Sequence, residues 1–186
     1  SKLTDRLTAD VNASYTYDAM DNRGYRNSSS RNPLFILGNL PRDTSVEELI
    51  PWKDGNGKPF NLNGGFTNPY WLLYELPNHD TKHWFMGNIT LNYRILNYLN
   101  FRLRIATDLQ TARGWEYTNM YSQFDTDGQF KEFSQMAQNN NIEAMLNFNK
   151  RFKKDWNLTA SMGYSWQHRR NERTNLTVGT TSQPDM

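Results

Sequence analysis

The chain has 186 residues and a mass of 21.9 kDa; apolar residues make up 37% of it, charged residues 22% and aromatic residues 14%. Its 21 basic and 19 acidic residues leave a formal net charge of +2, which excludes the strongly basic signature of a nucleic-acid-binding protein, and the lack of cysteine excludes disulfides and thiolate sites. The longest apolar run covers residues 70–74, against the ~20 residues that a membrane-spanning helix needs, so a helical membrane protein is excluded as well.

The first predicted element is a β-strand over about residues 3–18. Apolar and polar residues alternate along it: Leu7, Ala9, Val11, Ala13, Tyr15 and Tyr17 are separated by Thr8, Asp10, Asn12, Ser14 and Thr16. A period of two places successive side chains on opposite faces of a strand. The pattern therefore predicts a strand with one apolar and one polar face.

A long connection, about residues 19–80, follows the first strand. It is rich in Asn, Gly, Ser and Pro and shows no sustained alternation. Within it, residues 43–50 are typical of a short helix, with Asp43 or Thr44 as the N-cap and Pro51 ending the helix. We expect a compact loop of this size to carry a function.

Two further strands are predicted over about residues 83–95 and 99–112. Apolar residues hold the odd positions: Phe85, Ile89, Leu91, Tyr93 and Ile95 in one strand, and Leu99, Phe101, Leu103, Ile105 and Leu109 in the next. Polar residues hold most of the positions between them. The few residues that join the two strands predict a hairpin.

The last two strands are predicted over about residues 141–152 and 156–170. Here the even positions are apolar: Ile142, Ala144, Leu146 and Phe148, then Trp156, Leu158, Ala160, Met162, Tyr164 and Trp166. A tight turn joins these strands, whereas a second long connection, about residues 113–139, precedes them.

The lengths of the strands and of the connections together predict the fold class. The alternating segments run for roughly 9 to 13 residues, close to the ~9–11 with which a β-strand crosses a bilayer. Tight turns follow the second and fourth strands and long loops follow the first and third, as in outer-membrane barrels. We therefore predict an all-β fold: residues 1–186 form an antiparallel segment of a large transmembrane outer-membrane β-barrel, with long extracellular loops that contain a short helix.

The polar face of these strands supplies the first candidate site. It carries Asn, Thr, Arg, Asp, Ser and Gln, short or planar hydrogen-bonding groups that suit the wet interior of a barrel. Residues on this face are expected to point into the lumen and contact a solute. The candidates are Asn88, Asn92, Arg102, Arg104 and Asp108.

Aromatic residues in the two long connections supply the second candidate site. Tyr70 and Trp71 lie in the first connection, and Trp115 and Tyr117 lie in the second. Such rings can stack on a sugar or contact a partner protein. They can equally pack their own loops, and the sequence leaves both roles open.

Metal and catalytic motifs are not predicted. The turn at Asp54 lacks the acidic ligands of a calcium loop, because Lys58 and Gly65 stand at its fifth and twelfth positions. His79 and His83 are four residues apart, a metal-binding spacing only on a helix, and they lie where a strand begins. No nucleophile, phosphate-binding or dinucleotide motif occurs. We therefore expect neither an enzyme nor a bound cofactor.

Several short motifs follow one another at defined spacings: Asn68-Pro69-Tyr70-Trp71, then Gly87-Asn88 with Leu91 and Tyr93, then Leu99, Arg104 and Asp108. Their order resembles the barrel of SusC/RagA-like TonB-dependent transporters, which are outer-membrane proteins of Bacteroidetes. The resemblance spans about residues 34–166. Ala106 stands where the family pattern more often has glycine, a departure that bears on strand packing.

The resemblance implies a many-stranded barrel with an amino-terminal plug. Such a barrel imports oligosaccharides or peptides together with a SusD-like surface lipoprotein, and the TonB complex supplies the energy. The plug, the TonB-binding segment, a signal peptide and the closing strand are not found in these residues. Five strands also fall short of the ~8 of the smallest barrels, so a longer polypeptide is expected.

Two other functions remain open from the sequence. The first is a soluble secreted β-sandwich that binds carbohydrate through its loop aromatics. The second is a small complete barrel that acts as an adhesin or structural protein. Strand length and the sorting of loops favour the membrane over the sandwich, and the odd number of strands disfavours the small barrel.

Overall fold

The chain folds mainly into one β-sheet. The computed structural model describes residues 2–26, 29–60, 67–124, 127–152 and 156–179. Five strands are neighbours in the order in which they occur along the chain: β1 (Leu7–Asp21), β2 (Asn78–Leu96), β3 (Leu99–Thr118), β4 (Gln129–Phe152) and β5 (Trp156–Gly179). The prediction of an all-β, antiparallel fold is confirmed.

Backbone hydrogen bonds fix the antiparallel register of β1 and β2. The Arg94 amide donates to the Arg6 carbonyl oxygen at 2.8 Å, and the Asn22 amide donates to the Asn78 carbonyl oxygen at 2.8 Å. Residue numbers rise along one strand as they fall along its neighbour, as antiparallel pairing requires. The register matters here because a slip by one residue would move every side chain to the other face.

Most strands extend beyond their predicted limits. β2 begins at Asn78 rather than near residue 83, β3 ends at Thr118 rather than near 112, β4 begins at Gln129 rather than near 141, and β5 ends at Gly179 rather than near 170. The added segments carry fewer apolar residues in regular alternation than the predicted strands do, and the sequence analysis places those that precede β2, end β3 and begin β4 largely in the two long connections. Pairing with a neighbouring strand satisfies their backbone groups, and this tertiary effect outweighs local preference.

Two short helices that the sequence analysis does not predict lie in the first connection, α1 (Pro33–Asn39) and α2 (Pro69–Tyr74). Both begin at an Asn-Pro pair. The side chain of Asn32 accepts a hydrogen bond from the amide two residues on at 3.1 Å, and the side chain of Asn68 does the same at 2.9 Å. Proline suits the first helical position because it has no amide hydrogen to leave unpaired. No helix in the described residues has the length and hydropathy to span a membrane.

The helix predicted over residues 43–50 is shorter than expected. Only Glu47–Leu49 form a helical turn, of the 3-10 type. Its N-cap residue is Val46, whose side chain makes no capping hydrogen bond, so Asp43 and Thr44 do not have the predicted role. A single turn of this kind can form without a long amphipathic face.

The chain divides into two compact units. The first unit comprises Ser1–Tyr17, Lys82–Thr111 and Gln135–Glu172, and the second comprises Asp18–Thr81, Ala112–Ser134 and Arg173–Met186. The first unit holds the alternating segments of all five strands. The second holds both helices and the remaining strand ends.

The first unit exposes apolar side chains. Val11 is 66% exposed, Ile105 46% and Met162 76%, and all the buried apolar residues in the described part of the chain lie in the second unit. A water-soluble sheet buries its apolar face. The described residues therefore leave the apolar face of the first unit uncovered.

The second unit has a small core of its own. Its buried residues are Ile36 from α1, Trp71 and Leu72 from α2, and Leu76, and Leu40, Trp52, Tyr121 and Phe124 pack against them. α1 contacts α2 directly. The first long connection is thus a folded element.

Candidate functional site

The polar face of the first unit is formed by the polar side chains that alternate with the exposed apolar ones. Contacts between strands show that these polar side chains share one side of the sheet. Asn12 Nδ2 donates to Asn88 Oδ1 at 3.4 Å, and the Trp84 indole N–H donates to Asp108 Oδ1 at 2.7 Å. Even-numbered residues of β1, β2 and β3 therefore meet on this face.

A recess of about 420 Å³ opens on the polar face. We call it the asparagine recess, because four asparagines line it. Three of the five candidates predicted for this face, Asn88, Arg104 and Asp108, also belong to its lining. The remaining asparagines are Asn12, Asn139 and Asn141.

A second recess, of about 460 Å³, holds the other two candidates, Asn92 and Arg102. Arg6 and Arg94 line it as well, and we call it the arginine recess. The Arg94 guanidinium is anchored in part, since its Nη2 donates to the Asp5 carbonyl oxygen at 2.7 Å. The structure thus brings all five candidates to the walls of two recesses on the polar face.

Arg104 is only loosely paired in the asparagine recess. Its Nη1 lies 4.0 Å from Glu143 Oε2, and the two side chains are 43% and 38% exposed. An exposed ion pair of this kind contributes about 0–1 kcal/mol. The other Glu143 oxygen accepts from Asn141 Nδ2 at 3.0 Å, so the Arg104 guanidinium keeps donors for another partner.

Several lining residues of the two recesses are not among the candidates predicted from the sequence. Asn12 lies on β1, and Arg6 precedes that strand. Asn139 lies at the end of the predicted second connection, and Asn141 lies at the start of the predicted fourth strand. The only sequence signal for Asn12 and Arg6 is their even numbering, which they share with the polar residues of β1. The register between neighbouring strands is needed to bring any of these residues to the recesses.

Two of the clusters that aromatic side chains form on the apolar face combine rings with a polar group. In one, the His83 ring lies 5.0 Å from the Tyr17 ring centroid, and His83 Nδ1 is 2.7 Å from the Tyr15 hydroxyl. In the other, the Tyr98 and Phe148 rings meet edge to face at 5.5 Å. Each cluster combines apolar rings with a polar tip, as expected for residues at a boundary between water and an apolar phase.

Three rings of the second unit form a further cluster, which we call the aromatic cluster. Tyr70 and Tyr74 lie one helical turn apart on α2, with ring planes only 6° apart and centroids 6.2 Å apart. The Trp52 ring stacks on Tyr74 at 4.7 Å. Tyr74 is 58% exposed. Of the four loop candidates, Tyr70 therefore belongs to a ring surface that a partner can reach.

Trp71 does not have the surface that its predicted role requires. Its side chain is 0% exposed within the core of the second unit. Its indole N–H is buried as well and has no hydrogen-bond partner among the described residues. Trp71 therefore packs within its own unit, which is one of the two roles that the sequence left open, because its position on a short helix points into the core.

Trp115 and Tyr117 both lie on β3 rather than in a loop. The Trp115 ring lies between those of His79 and Phe130, at 6.4 and 6.3 Å. The Tyr117 amide donates to the Pro77 carbonyl oxygen at 2.9 Å. The ring contacts favour, for Trp115, the packing role that the sequence left open.

Arg23 forms a charged cluster with two carboxylates in the second unit. It donates to both carboxylate oxygens of Asp80, at 2.6 and 2.9 Å, and to Asp18 at 2.9 Å. The hydrogen bond to Asp80 and then that to Asp18 raise the pKa of the guanidinium above its ordinary value. These hydrogen bonds hold Arg23, which follows β1, against Asp18 of β1 and Asp80 of β2. The cluster therefore stabilises the fold.

The residues that suggested metal ligands have other partners. His79 Nδ1 is 2.6 Å from Asp21 Oδ1, and the Asp54 carboxylate accepts from the amides of Asn56 and Lys58 at 2.9 Å each, which makes a turn. Gly65, which the calcium-loop comparison used, lies outside the described residues. Within the described ranges, no three His, Cys, Asp or Glu side chains come together as metal ligands would.

Comparisons with known proteins were made by sequence and by structure. No family model and no curated protein matches the sequence. Among solved structures, the chain resembles one from the RagAB peptide importer in the closed-closed state, with a TM-score of 0.69 and 16% identity over 98% of this chain and 21% of the other. The structure of the RagAB peptide transporter matches with a TM-score of 0.69 and 14% identity, over 98% of this chain and 21% of the other. The importer in the open-open state matches with a TM-score of 0.67 and 16% identity, over 96% of this chain and 20% of the other.

The likeness in fold covers nearly the whole of the present chain. The chain spans about a fifth of the length of the RagAB chains that it matches. Because identity is low, the likeness concerns the fold. The five-stranded sheet and its connections thus have the fold of one segment of a RagAB chain.

Proposed function

We propose that the chain is a wall segment of an outer-membrane transport barrel. The observation that carries this proposal is the exposed apolar face of the first unit, opposite a face with two polar recesses. Lipid is the environment that an apolar sheet face of this kind fits, and the polar face then lines the lumen. The likeness in fold to chains of a peptide importer supports the same function.

The height of the apolar face agrees with this role. On β2 the alternating apolar residues run from Phe85 to Ile95, and on β3 from Leu99 to Leu109. Eleven residues at ~3.4 Å each, tilted by ~40°, span about 28 Å, close to the ~25 Å apolar band of such barrels. The His83 and Tyr98 ring clusters lie near the two ends of these segments, as interfacial rings do.

The edges of the sheet favour a larger assembly. β1 and β5 each have one neighbouring strand, and unpaired edges of this length are prone to pair with further strands. We therefore propose that a longer polypeptide completes the barrel and supplies the plug and the contact with the TonB complex. In this proposal the protein resides in the bacterial outer membrane, imports peptides or oligosaccharides with a SusD-like lipoprotein, and catalyses no reaction.

A soluble carbohydrate-binding sandwich is not favoured. Such a protein would cover the apolar face of the sheet with a second sheet. No second sheet covers the apolar face in the described residues, and both Ile89 and Ile105 on this face are exposed.

A gel of source-cell membranes tests the proposal. An antibody against residues 113–139 should detect an outer-membrane band several times larger than 21.9 kDa, and the mobility of that band should change on heating, because folded barrels resist detergent. A soluble band near 22 kDa that heating does not shift would contradict it.

A further inference from the structure

Lys150 forms a cluster with aromatic rings at one end of the first unit. Its Nζ atom lies 4.5 Å from the centroid of the Tyr98 ring and 5.2 Å from that of the Phe152 ring. The Phe148 ring completes the cluster, since it meets the Tyr98 ring edge to face at 5.5 Å. We call these four residues the lysine–aromatic cluster. Rings placed in this way attract an ammonium group through their negative faces.

The ammonium group of Lys150 keeps hydrogen-bond donors for a further partner. An ammonium has three N–H donors, and the face of a ring does not accept from all of them. None of the ion pairs among the described residues involves Lys150. The residue is also partly exposed, so an anion can reach it.

The lysine–aromatic cluster lies on the apolar face of the sheet. Leu146, Phe148, Lys150 and Phe152 are alternate residues of β4, so their side chains share one face. All of them, like Tyr98, belong to the first unit. β3 and β4 each have a neighbouring strand on both sides, so a strand added at an edge of the sheet would not cover this position.

The position of Lys150 along β4 matches the level of a lipid headgroup. Lys150 lies two residues beyond Phe148, about 7 Å along the strand, and therefore just past the apolar stripe proposed to contact lipid. Tyr98 belongs to the tight turn between β2 and β3, and tight turns face the periplasm in barrels of this class. Aromatic rings and lysine side chains both suit the boundary between hydrocarbon and headgroups.

Charge complementarity favours an anionic phospholipid over a zwitterionic one. The phosphate of phosphatidylglycerol has no cation beside it, whereas that of phosphatidylcholine already has its own ammonium group. Lysine near a membrane surface is attracted to anionic lipid. Leu146 and Phe148 continue the same face and offer an apolar surface to an acyl chain, so a lipid fits this site better than free phosphate does.

We propose that the lysine–aromatic cluster binds the phosphate of an anionic phospholipid at the tight-turn end of the sheet, with an acyl chain of that lipid along Leu146 and Phe148. The inference rests on the proposed function, since it takes the apolar face as the surface that contacts lipid. It adds a preference for one class of headgroup at one position of that surface.

Fluorescence quenching beside Leu146 tests the inference in the complete polypeptide. A fluorophore is attached at Leu146→Cys, because this residue is 36% exposed and lies four positions before Lys150 on the same face. The protein is refolded into phosphatidylcholine vesicles that contain a small, equal fraction of phosphatidylglycerol or phosphatidylcholine with a nitroxide on the acyl chain. The phosphatidylglycerol quencher should associate about fivefold more strongly, the effect of one lysine near an anionic surface.

Substitutions identify the group responsible. Lys150→Gln should abolish the preference for phosphatidylglycerol, whereas Lys150→Arg should retain it. Arg151→Gln is the matched control: it removes the same charge from the adjacent residue of β4, which points to the opposite face, and it should leave the preference unchanged. Tyr98→Leu should reduce the preference, because Lys150 loses the closer of its two rings.

Two results would overturn the inference: equal quenching by the two lipids when Lys150 is present, or an equal loss of preference in Lys150→Gln and Arg151→Gln. Each protein is first tested for the heat-dependent gel shift. A shifted band without a lipid preference contradicts this inference and leaves the transport barrel standing. A soluble band without a shift contradicts the proposed function itself.

Discussion

A single carboxylate, Glu75, holds the aromatic cluster of the second unit in place. Its side chain is 12% exposed, and Oε1 accepts from the Trp52 indole N–H and from Lys53 Nζ, both at 3.1 Å. Oε2 accepts from Asn119 Nδ2 at 2.8 Å. One residue at the end of α2 thus ties a loop and the segment after β3 to the helix.

Replacement of Glu75 by alanine should therefore destabilise the second unit. The change leaves the partly buried donors of Trp52 and Asn119 without an acceptor, at a cost of about 1–3 kcal/mol. Chemical unfolding followed by tryptophan fluorescence measures the loss. Glu48→Ala is the matched control, since Glu48 is exposed and its substitution should stay within about 0.5 kcal/mol. An equal effect of the two variants would contradict the role of Glu75.

Gly114 is required by close packing. A Cβ atom at this position would lie 2.5 Å from the His79 carbonyl oxygen and 2.8 Å from the Phe133 ring. The backbone oxygen cannot move without disturbing the strand pairing. The absence of a side chain therefore lets β3 lie under the Phe133 ring.

Gly114→Ala should lower the free energy of unfolding by about 1–3 kcal/mol, as overpacking does. The temperature of the gel-mobility change reports the loss. Gly24→Ala provides the control, because no atom lies within 4 Å of a Cβ there. If both variants shift equally, close packing at residue 114 is not the cause.

At the scale of elements, the two Asn-Pro helices differ in how their caps are used. Asn32 caps α1 at a partly buried position, whereas Asn68, which caps α2, is 0% exposed. The amide of Asn68 also donates to the Leu49 carbonyl oxygen at 2.9 Å. Asn68 thus both caps α2 and joins this helix to the segment that contains Leu49.

Asn68→Ala should therefore cost more than Asn32→Ala. Loss of a cap alone costs about 1 kcal/mol, and the unpaired Leu49 carbonyl adds to this at residue 68. Hydrogen exchange of the helix amides measures both effects, with a larger loss of protection expected in α2. Equal losses would show that the Leu49 contact contributes nothing.

At the scale of the whole molecule, the two faces of the sheet should respond oppositely to charge. Ile89→Arg puts a cation on the exposed apolar face and should destabilise folding in lipid by about 2–4 kcal/mol if that face meets the bilayer near its middle. Thr90→Arg puts the same group on the polar face and should be tolerated. Refolding into vesicles, followed by the heat-dependent gel shift, compares them. Equal tolerance of both variants would contradict a lipid-facing surface.

Prediction from sequence succeeds where the cause is local. Alternation in β2 and β3 identifies both faces, and even-numbered Asn88 and Asp108 lie on the polar face as expected. It leaves the role of Trp71 open, because burial depends on which side of a short helix meets the core. It fails at the strand ends, such as Gln129, where a neighbouring strand rather than the local sequence supports the extended backbone.

The sequence by itself determined the fold class, the assignment of apolar and polar faces, and the five polar candidates, since a period of two is imposed by strand geometry alone. Only the tertiary structure decided which polar residues share a recess, because strand register sets partners across the sheet. It likewise decided that Asn141 has a buried acceptor with no donor among the described residues and that Trp71 lies in a core. These properties depend on neighbours distant in sequence.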